Sequence, residues 1–375
     1  MVRHLYLHIP FCAKVCPYCN FYVHGGSRQK HIKFVEALCR EIELTYQIYP
    51  GEAETVFLGG GTPSLLSVDL FHKIAHTLRK TYLQSGSLQE FTIEVNPATV
   101  TPSKALAWFD AGVNRISLGV QSLNAQELKL LGRQHKPEDV QKTIRILREI
   151  GFTNVNFDLI FGLPGQDTQA WQYSLTQAVE LQPEHISAYA LTYEEDTPFF
   201  EALKTGTFTR SEALEAELFQ LTYQILSESG YRPYEISNFS IQGYESMHNQ
   251  AYWNGCDYLG FGPSAVSTIR NKRWKNIPST DSYIEKLTSP SVASDLNELK
   301  VDIEVLNHDT LRKEKILLGL RTRNGLNIND PTLHIHEKQL EMLLQEKLID
   351  VTPDKRIILT PQGRLVADAV ALALI

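Results

Sequence analysis

Three cysteines near the start of the chain, Cys12, Cys16 and Cys19, are spaced so that all of them can lie on one short loop. An apolar run at 5–7 predicts a strand just before that loop. Thiolates bind iron–sulfur clusters as well as zinc, and three of them leave one iron of a [4Fe–4S] cluster without a protein ligand. Such an iron can chelate the amino and carboxylate groups of S-adenosylmethionine, so the spacing predicts a cluster that binds this cofactor.

Zinc and a disulfide are the alternatives for these thiols. His8 or His24 could complete a Cys3His zinc site, although structural zinc usually has two separated ligand pairs and the chain has no second C-x-x-C. Five cysteines is an odd count, which argues against a disulfide framework. Cys39 falls in a helical pattern and is predicted to be a small core residue.

A glycine turn at 59–61, followed by Thr62, comes directly after the second apolar run, and glycine lets backbone atoms approach a ligand closely. The turn lacks the pattern of a phosphate loop, and a simple tight turn ahead of Pro63 is the alternative. Glu94 ends an apolar strand, where a carboxylate is costly unless it meets a cation or several donors. Its partner is the ammonium group or the ribose hydroxyls of a bound cofactor, or a side chain such as Arg115.

A second polar cluster lies at 247–253, M-H-N-Q-A-Y-W, with a glycine-rich run at 258–264 just after it. A neutral imidazole can bind heme iron, and tyrosine and tryptophan faces can stack on a macrocycle. His248 is therefore a candidate heme ligand, and Cys256 and His308 are further candidates. An ordered loop is the alternative, because a lone histidine is more often structural.

Short apolar runs alternate with amphipathic helical stretches along the first 230 residues, which is typical of parallel βα units in an α/β protein. Six such units predict an incomplete (β/α)6 TIM-like barrel, in which the chemistry lies at the carboxyl ends of the strands. Gln121 and Asp158 end two of these strands, and Arg133 lies on the connection between them. The predicted strands are 5–9, 55–58, 90–95, 115–120, 154–161 and 185–191, and the predicted helices are 30–46, 68–82, 102–110, 137–150, 168–181 and 212–229.

The composition changes after about residue 288, where Ser-Pro-Ser and then mixed charge predict a linker or a surface excursion. Helices are predicted at 311–320 and 337–346, followed by a hairpin over 348–360 and a last helix from Pro361. Helices combined with a hairpin indicate a small winged-helix-like α+β domain.

Three regions follow from these patterns. The barrel is expected over 1–230 and holds the cluster and its cofactor, and an extension over 231–290 carries the second polar cluster as a tetrapyrrole region. The small domain occupies 291–375. It lacks a dense basic stripe, which favours a structural or docking role over nucleic-acid binding.

The overall composition narrows the class of protein. The chain has 375 residues, of which 43% are hydrophobic and 21% charged, enough for one large core and a smaller one. Its formal charge of −7 argues against general nucleic-acid binding. No apolar run approaches the roughly 18 residues of a membrane span, and peripheral contact with a membrane stays open. A cytoplasmic location is expected, since a thiolate cluster suits a reducing compartment.

Several motifs together resemble one family. C-x-x-x-C-x-x-C after a strand is similar to the motif of radical S-adenosylmethionine proteins. C-P-Y-C-N-F, G-G-G-T-P-S, E-V-N-P, G-V-Q-S and H-N-Q-A-Y-W resemble, in the same order, motifs of the HemW heme chaperones, which are relatives of oxygen-independent coproporphyrinogen III oxidase. The resemblance implies heme as cargo for acceptor heme proteins, respiratory ones among them. It also implies contacts to S-adenosylmethionine from Tyr6, Tyr18, Gly60, Gly61, Thr62, Glu94, Gln121, Arg133 and Asp158.

Some residues depart from these relatives. The related oxidase has a cysteine where this chain has Phe21, and it carries an extension ahead of a strand that begins here near residue 5. An apolar ring at Phe21 would instead shield the cluster and pack on adenine. HemW proteins often have arginine where this chain has Gln250, which removes a partner for a heme propionate. In the oxidase some cofactor contacts belong to a second S-adenosylmethionine, so the number bound stays open.

Two functions are carried forward. The first is a HemW-type heme chaperone, in which the cluster and S-adenosylmethionine serve structure or regulation. The alternative is an oxygen-independent coproporphyrinogen III oxidase, which uses a 5′-deoxyadenosyl radical to abstract hydrogen from propionate side chains. Phe21, the short N-terminus and the H-N-x-x-Y-W motif favour the chaperone. Radical chemistry on another substrate is a third alternative, because the superfamily shares its cofactor site across many reactions.

Overall fold

The computed structural model describes residues 2–289 and 296–375. Its strands are β1 (His4–Ile9), β2 (Thr55–Gly60), β3 (Glu90–Val95), β4 (Arg115–Gln121), β5 (Val155–Phe161), β6 (His185–Ala190), β7 (Arg232–Pro233), β8 (Asn238–Ser240), β9 (Tyr258–Phe261), β10 (Val266–Ile269), β11 (Lys272–Asn276), β12 (Lys300–Val305), β13 (Leu326–Asn327), β14 (Ile349–Val351) and β15 (Arg356–Leu359).

The helices that connect or follow these strands are α1 (Arg28–Ile48), α2 (Val68–Lys80), α3 (Pro102–Asp110), α4 (Ala125–Leu130), α5 (Pro137–Ile150), α6 (Thr168–Glu180), α7 (Pro198–Lys204), α8 (Glu212–Glu228), α9 (Met247–Trp253), α10 (Thr280–Thr288), α11 (His308–Arg321), α12 (Glu337–Gln345), α13 (Pro361–Leu365) and α14 (Ala367–Leu374). Local chemistry explains several ends. The Asp167 side chain accepts a hydrogen bond from the Ala170 amide at the start of α6, for example.

One large sheet forms the body of the molecule. Strands β1 to β6 lie side by side in parallel, with helices between them, which confirms the predicted incomplete (β/α)6 TIM-like barrel. The sheet continues past β1 through the parallel β9 and the antiparallel β10, β11 and β12, and past β6 through β8 and β7. The sequence patterns missed these added strands and the short helices α4 and α7.

Successive side chains of the barrel strands point alternately into the apolar core beneath the helices and into the barrel interior. On β1, Leu5, Leu7 and Ile9 are fully buried in the apolar core beneath the helices. The intervening residues of the strand, His4 and Tyr6 among them, face the barrel interior, where they hydrogen-bond to other side chains. The interior is unusually polar, and its buried side chains include Glu90, Thr92, Arg115, Ser117, Asn156, His185 and Ser187.

The C-terminal unit has its own core. Strands β13, β15 and β14 form a second sheet, and α11 to α14 pack around it, as predicted for a small α+β unit with a hairpin. The predicted boundary at 291 stays a prediction. Because β12 pairs with β11 in the large sheet, we infer that the division falls near Leu306. Among the described residues, no helix is both long and apolar enough to span a membrane.

Candidate cofactor site and cavity

The loop that carries Cys12, Cys16 and Cys19 leaves the carboxyl end of β1 and is closed by backbone hydrogen bonds. Cys12 N donates to His24 O at 3.0 Å, and His24 N donates to Pro10 O at 2.8 Å. All three thiols are free and partly exposed. Burial raises the pKa of the Cys12 and Cys19 thiols. A bound cluster would counteract that shift, because a metal deprotonates the thiols that coordinate it.

The zinc alternative gains no support from the histidines near the loop. His8 Nε2 donates to Tyr22 O at 2.8 Å, and its Nδ1 is 3.0 Å from Tyr6 Oη. His24 Nδ1 donates to Gly25 O at 2.7 Å, and its Nε2 is 2.8 Å from a threonine hydroxyl. Both rings are therefore fully hydrogen-bonded. Over residues 2–289 and 296–375, no three His, Cys, Asp or Glu side chains are grouped to hold a single metal ion.

Arg133 and Tyr18 lie against the cysteine loop. Arg133 Nη2 donates to Gly119 O at 2.9 Å, and its Nη1 approaches Cys16 Sγ at 3.7 Å. The buried Nε of Arg133 has no partner among the described residues. Tyr18 packs on Phe199 in a small separate apolar cluster, which fixes the far end of the loop. The loop thus has a positive side chain on one flank and an apolar support on the other.

Glu94 and Asp158 are two carboxyl groups that form no ion pair among the described residues. Glu94 Oε2 accepts a hydrogen bond from Gly60 N at 3.0 Å, and burial, followed by the negative charge of Asp158, raises the pKa of Glu94 to about 8. Burial also raises the pKa of Asp158, although Ser117 and Asn156 donate to it at 3.0 and 2.9 Å. Among the described residues Arg115 forms no ion pair with Glu94. The pair therefore suits a ligand that brings an ammonium group.

The glycine turn has a packing role as well as a position near the site. Gly60 has a φ of +106°, and a Cβ there would lie 2.6 Å from the His8 ring. A Cβ on Gly61 would lie 2.7 Å from Phe11 O, because Gly61 N and Thr62 N hydrogen-bond to the backbone after β1. The glycines are thus required by the close approach of β2 to the cysteine loop. Thr62 Oγ1 also lies 3.6 Å from Cys12 Sγ.

The predicted cofactor residues gather at one end of the barrel. Gln121 has a φ of +65° at a register shift between β4 and β5, which turns it out of the strand at the carboxyl end. Tyr6 is the exception, since it lies midway along β1, on the wall of a cavity. The residues that the structure brings to the carboxyl ends are Cys12, Cys16, Cys19, Gly60, Gly61, Thr62, Glu94, Gln121, Arg133 and Asp158. Their contacts to S-adenosylmethionine stay predictions.

The H-N-x-x-Y-W motif forms α9 and lies at the other end of the barrel. Glu90, the first residue of β3, accepts hydrogen bonds from Met247 N at 2.7 Å and from Ser246 Oγ and His248 N at 3.2 Å. Thr55, the first residue of β2, is 2.7 Å from His248 Nδ1. The helix is therefore docked on the amino ends of the strands, opposite the cysteine loop.

His248 is buried and has both ring nitrogens occupied. Its side chain belongs to a residue only 1% exposed, and its Nε2 lies 3.0 Å from Tyr252 Oη while Phe57 stacks on the ring. Burial, followed by the nearby charges of His4 and Arg115, lowers the pKa of His248 to about 3, so the ring is neutral. Heme ligation by His248 stays a prediction, but these contacts argue against it because no ring nitrogen is free.

A cavity of about 1390 Å³ separates the barrel from the C-terminal unit. It exceeds the range of about 300–1,000 Å³ that is usual for small-ligand sites. One wall comes from β1, β9, β10 and β11 and the other from α11 and β13, with Phe21 and Cys256 among the lining residues. The sequence patterns did not indicate this wall. The alternation K-R-W-K-N in β11 was the available signal, but its strand is only five residues long.

The fold and the cysteine loop define the class of the protein. The sequence model of the radical SAM superfamily matches residues 6–176. Coproporphyrinogen III oxidase (HemN) from Escherichia coli, a radical SAM enzyme, aligns over 100% of this chain and 90% of its own with a TM-score of 0.84. Because the two are 24% identical, this likeness shows the shared fold alone.

Sequence relatives narrow the class to one family. The heme chaperone HemW of Bacillus subtilis is 32% identical, and the alignment covers 98% of each chain. The heme chaperone HemW of Escherichia coli is 37% identical over 71% of this chain and 70% of its own. This chain belongs to the HemW family of heme chaperones.

Proposed function

We propose that this chain is a heme chaperone that binds heme in the cavity between the barrel and the C-terminal unit. The observation that carries the proposal is the cavity itself, which is large enough for a tetrapyrrole and combines apolar with basic lining residues. Membership in the HemW family supports the same function. The bound heme is then delivered to acceptor heme proteins. Respiratory acceptors would bring the chain to a membrane surface, and the reducing cytoplasm suits its thiolates.

The carboxyl ends of the barrel strands would hold the cofactors. Cys12, Cys16 and Cys19 would hold a [4Fe–4S] cluster, which would supply an open iron for S-adenosylmethionine and, once reduced by an external donor, the electron for its reductive cleavage. Glu94 and Asp158 together supply negative charge for its ammonium group, while Arg133 keeps positive charge beside the cysteine loop. The remaining predicted contacts would come from Tyr18, Gly60, Gly61, Thr62 and Gln121 at this end of the barrel, and from Tyr6 on the cavity wall.

The oxidase is the second candidate function, and one observation favours it. Phe21, on the cysteine loop, also lines the cavity, so a tetrapyrrole there would lie near the cluster. The Phe21 ring is 71% exposed, which leaves it able to stack on a ligand. It offers no thiol and no group that could exchange a proton. The cavity therefore provides proximity to the cluster without the cysteine that the related oxidase carries at this position.

One experiment separates the two functions. Anaerobically reconstituted protein is incubated with coproporphyrinogen III, S-adenosylmethionine and a reductant, and the same preparation is titrated with heme and then mixed with apomyoglobin. We expect a stable heme complex, transfer of heme to apomyoglobin and unchanged coproporphyrinogen III. Conversion of coproporphyrinogen III to the divinyl product would overturn the chaperone proposal, and so would a failure to bind heme.

A further inference from the structure

The hairpin β10–β11 presents one of its faces to the cavity. Val266 pairs with Lys275 and Thr268 pairs with Arg273, and all four residues line the cavity. The side chain between the two basic residues, Trp274, points the other way into the main core. Because successive side chains of a strand point to opposite faces of the sheet, Lys275 lies on the cavity wall while Trp274 lies in the core.

The cavity lining is basic in a chain whose formal charge is −7. Five basic side chains and two acidic ones line it, and two of the basic ones are neutralised locally. Arg273 forms a bidentate ion pair with Glu314 at 2.6 and 2.9 Å, and Lys315 pairs with Asp330 at 2.5 Å. Both acidic side chains of the lining are therefore already paired. The remaining positive charge of the lining comes from Arg270, Lys275 and Arg356.

Lys275 differs from the other two remaining cations. Arg356 directs its guanidinium at the backbone carbonyl groups of Asn324 and Gly325, and Arg270 lies at the exposed turn of the hairpin. Lys275 is half-buried, and its ammonium group has no ion pair or hydrogen bond within residues 2–289 and 296–375. It is close enough to His8 to lower the pKa of that imidazole, after burial as the main cause. An ammonium group on the cavity wall that has no partner among the described residues is available to an anionic ligand.

We propose that Lys275 binds a propionate group of the heme held in this cavity. The inference rests on the proposed function and adds the orientation of the cargo. The opposite wall supplies leucines of the C-terminal unit for the apolar face of the macrocycle, among them Leu311, Leu317 and Leu326. A flat apolar body that carries carboxylates fits a site with leucines on one wall and the Lys275 ammonium group on the other.

The test compares heme with heme dimethyl ester, in which both propionates are blocked. Titrations use the full-length protein, Lys275→Gln, Lys275→Arg and the matched control Lys272→Gln, an exposed lysine on the opposite face of β11. Lys275→Gln should weaken heme binding by about 10- to 150-fold, and Lys275→Arg should restore most of it, because charge-assisted hydrogen bonds have this size. The ester should bind all variants alike, and Lys272→Gln should match wild type.

Other outcomes would show whether the Lys275 contact alone is wrong or whether the proposed function is wrong as well. If wild type binds heme and Lys275→Gln binds it equally well, the contact is refuted and the proposed function stands. If Lys275→Gln weakens heme and its ester by the same factor, Lys275 shapes the cavity and binds no propionate. A parallel loss of S-adenosylmethionine binding would assign the ammonium to that cofactor and overturn the inference. If wild type binds no heme, the inference and the proposed function both fail.

Discussion

The two ends of the barrel both carry motifs that suggest ligands, but the structure treats them in opposite ways. At the carboxyl ends, the three thiols are free, and the Glu94 and Asp158 carboxyl groups form no ion pair among the described residues. At the amino ends, the H-N-x-x-Y-W helix has its amides on Glu90 and its imidazole between Thr55 and Tyr252. The polar groups at the carboxyl ends are therefore available to ligands. Those of the helix at the amino ends are already hydrogen-bonded within the chain.

This difference shows how a motif should be judged. Buried polar groups in a folded protein are nearly always hydrogen-bonded, so a residue that has found partners within the chain is explained without a ligand. His248 is explained in this way, whereas Glu94 and Lys275 are not. The remaining unpaired charge, rather than the residue type, marks the ligand site.

The largest expected effect is loss of the cluster at the carboxyl ends of the barrel strands. Replacement of Cys12, Cys16 or Cys19 with alanine should abolish the iron–sulfur cluster, because no other thiol lies on the loop. Iron and sulfide analysis with absorption spectra after anaerobic reconstitution measures this. Cys39→Ala, which removes a thiol packed against the main core, should keep the cluster. Zinc without iron or sulfide in reconstituted wild type would refute the assignment.

The next largest expected effect concerns His248, at the amino ends of the barrel strands. His248→Ala removes two buried hydrogen bonds and an imidazole stacked on Phe57, and should lower the free energy of unfolding by about 2–4 kcal/mol. The Soret band of the heme complex should keep its position, because His248 has no free nitrogen. Denaturant titration and heme spectra check both statements. His308→Ala, at an exposed position on α11, is the control and should change neither. Loss of the Soret band with unchanged stability would instead make His248 the ligand.

A smaller effect concerns the charge of Glu94 and depends on pH. Its pKa of about 8 in the folded protein lies above the ordinary value of 4.5, so the folded state holds this proton more tightly. The associated stability is present at pH 4 and is lost as the pH rises through 8. Without cofactor, wild type should therefore lose about 1–3 kcal/mol more than Glu94→Gln between pH 5 and pH 8.

The same substitution should weaken S-adenosylmethionine binding to the cluster-loaded protein by about 1–3 kcal/mol, because the charged partner of the ammonium is gone. Thermal denaturation at several pH values and binding titrations provide the measurements. Glu43→Gln, at an exposed position on α1, should follow wild type in both. Identical pH profiles for wild type and Glu94→Gln would show that Glu94 is ionised in the folded protein.

The barrel could be predicted from the sequence because its signals are local. Alternating apolar runs located β1 to β6, and residues that closely follow those runs, such as Cys12 and Thr62, came together since parallel strands end at the same edge. The environment of His248 could not be predicted, because its partner Thr55 is 193 residues away along the chain. The cavity could not be predicted from the sequence either. Its two walls belong to separate cores, and they include short strands with few apolar residues.

The seam between the two cores is made largely of arginines. Arg321 lies over the Trp253 ring at 5.1 Å and within 3.8 Å of Glu235, Arg323 pairs with Glu245 at 3.0 Å, and Arg364 lies over Tyr223. Exposed pairs such as Arg323–Glu245 are weak and are screened by salt, whereas Glu235 is buried and its contact with Arg321 is screened less. For heme held in the cavity as proposed, we expect these arginines, which do not line the cavity, to slow its release. A rise in ionic strength should then shorten the residence time of the cargo.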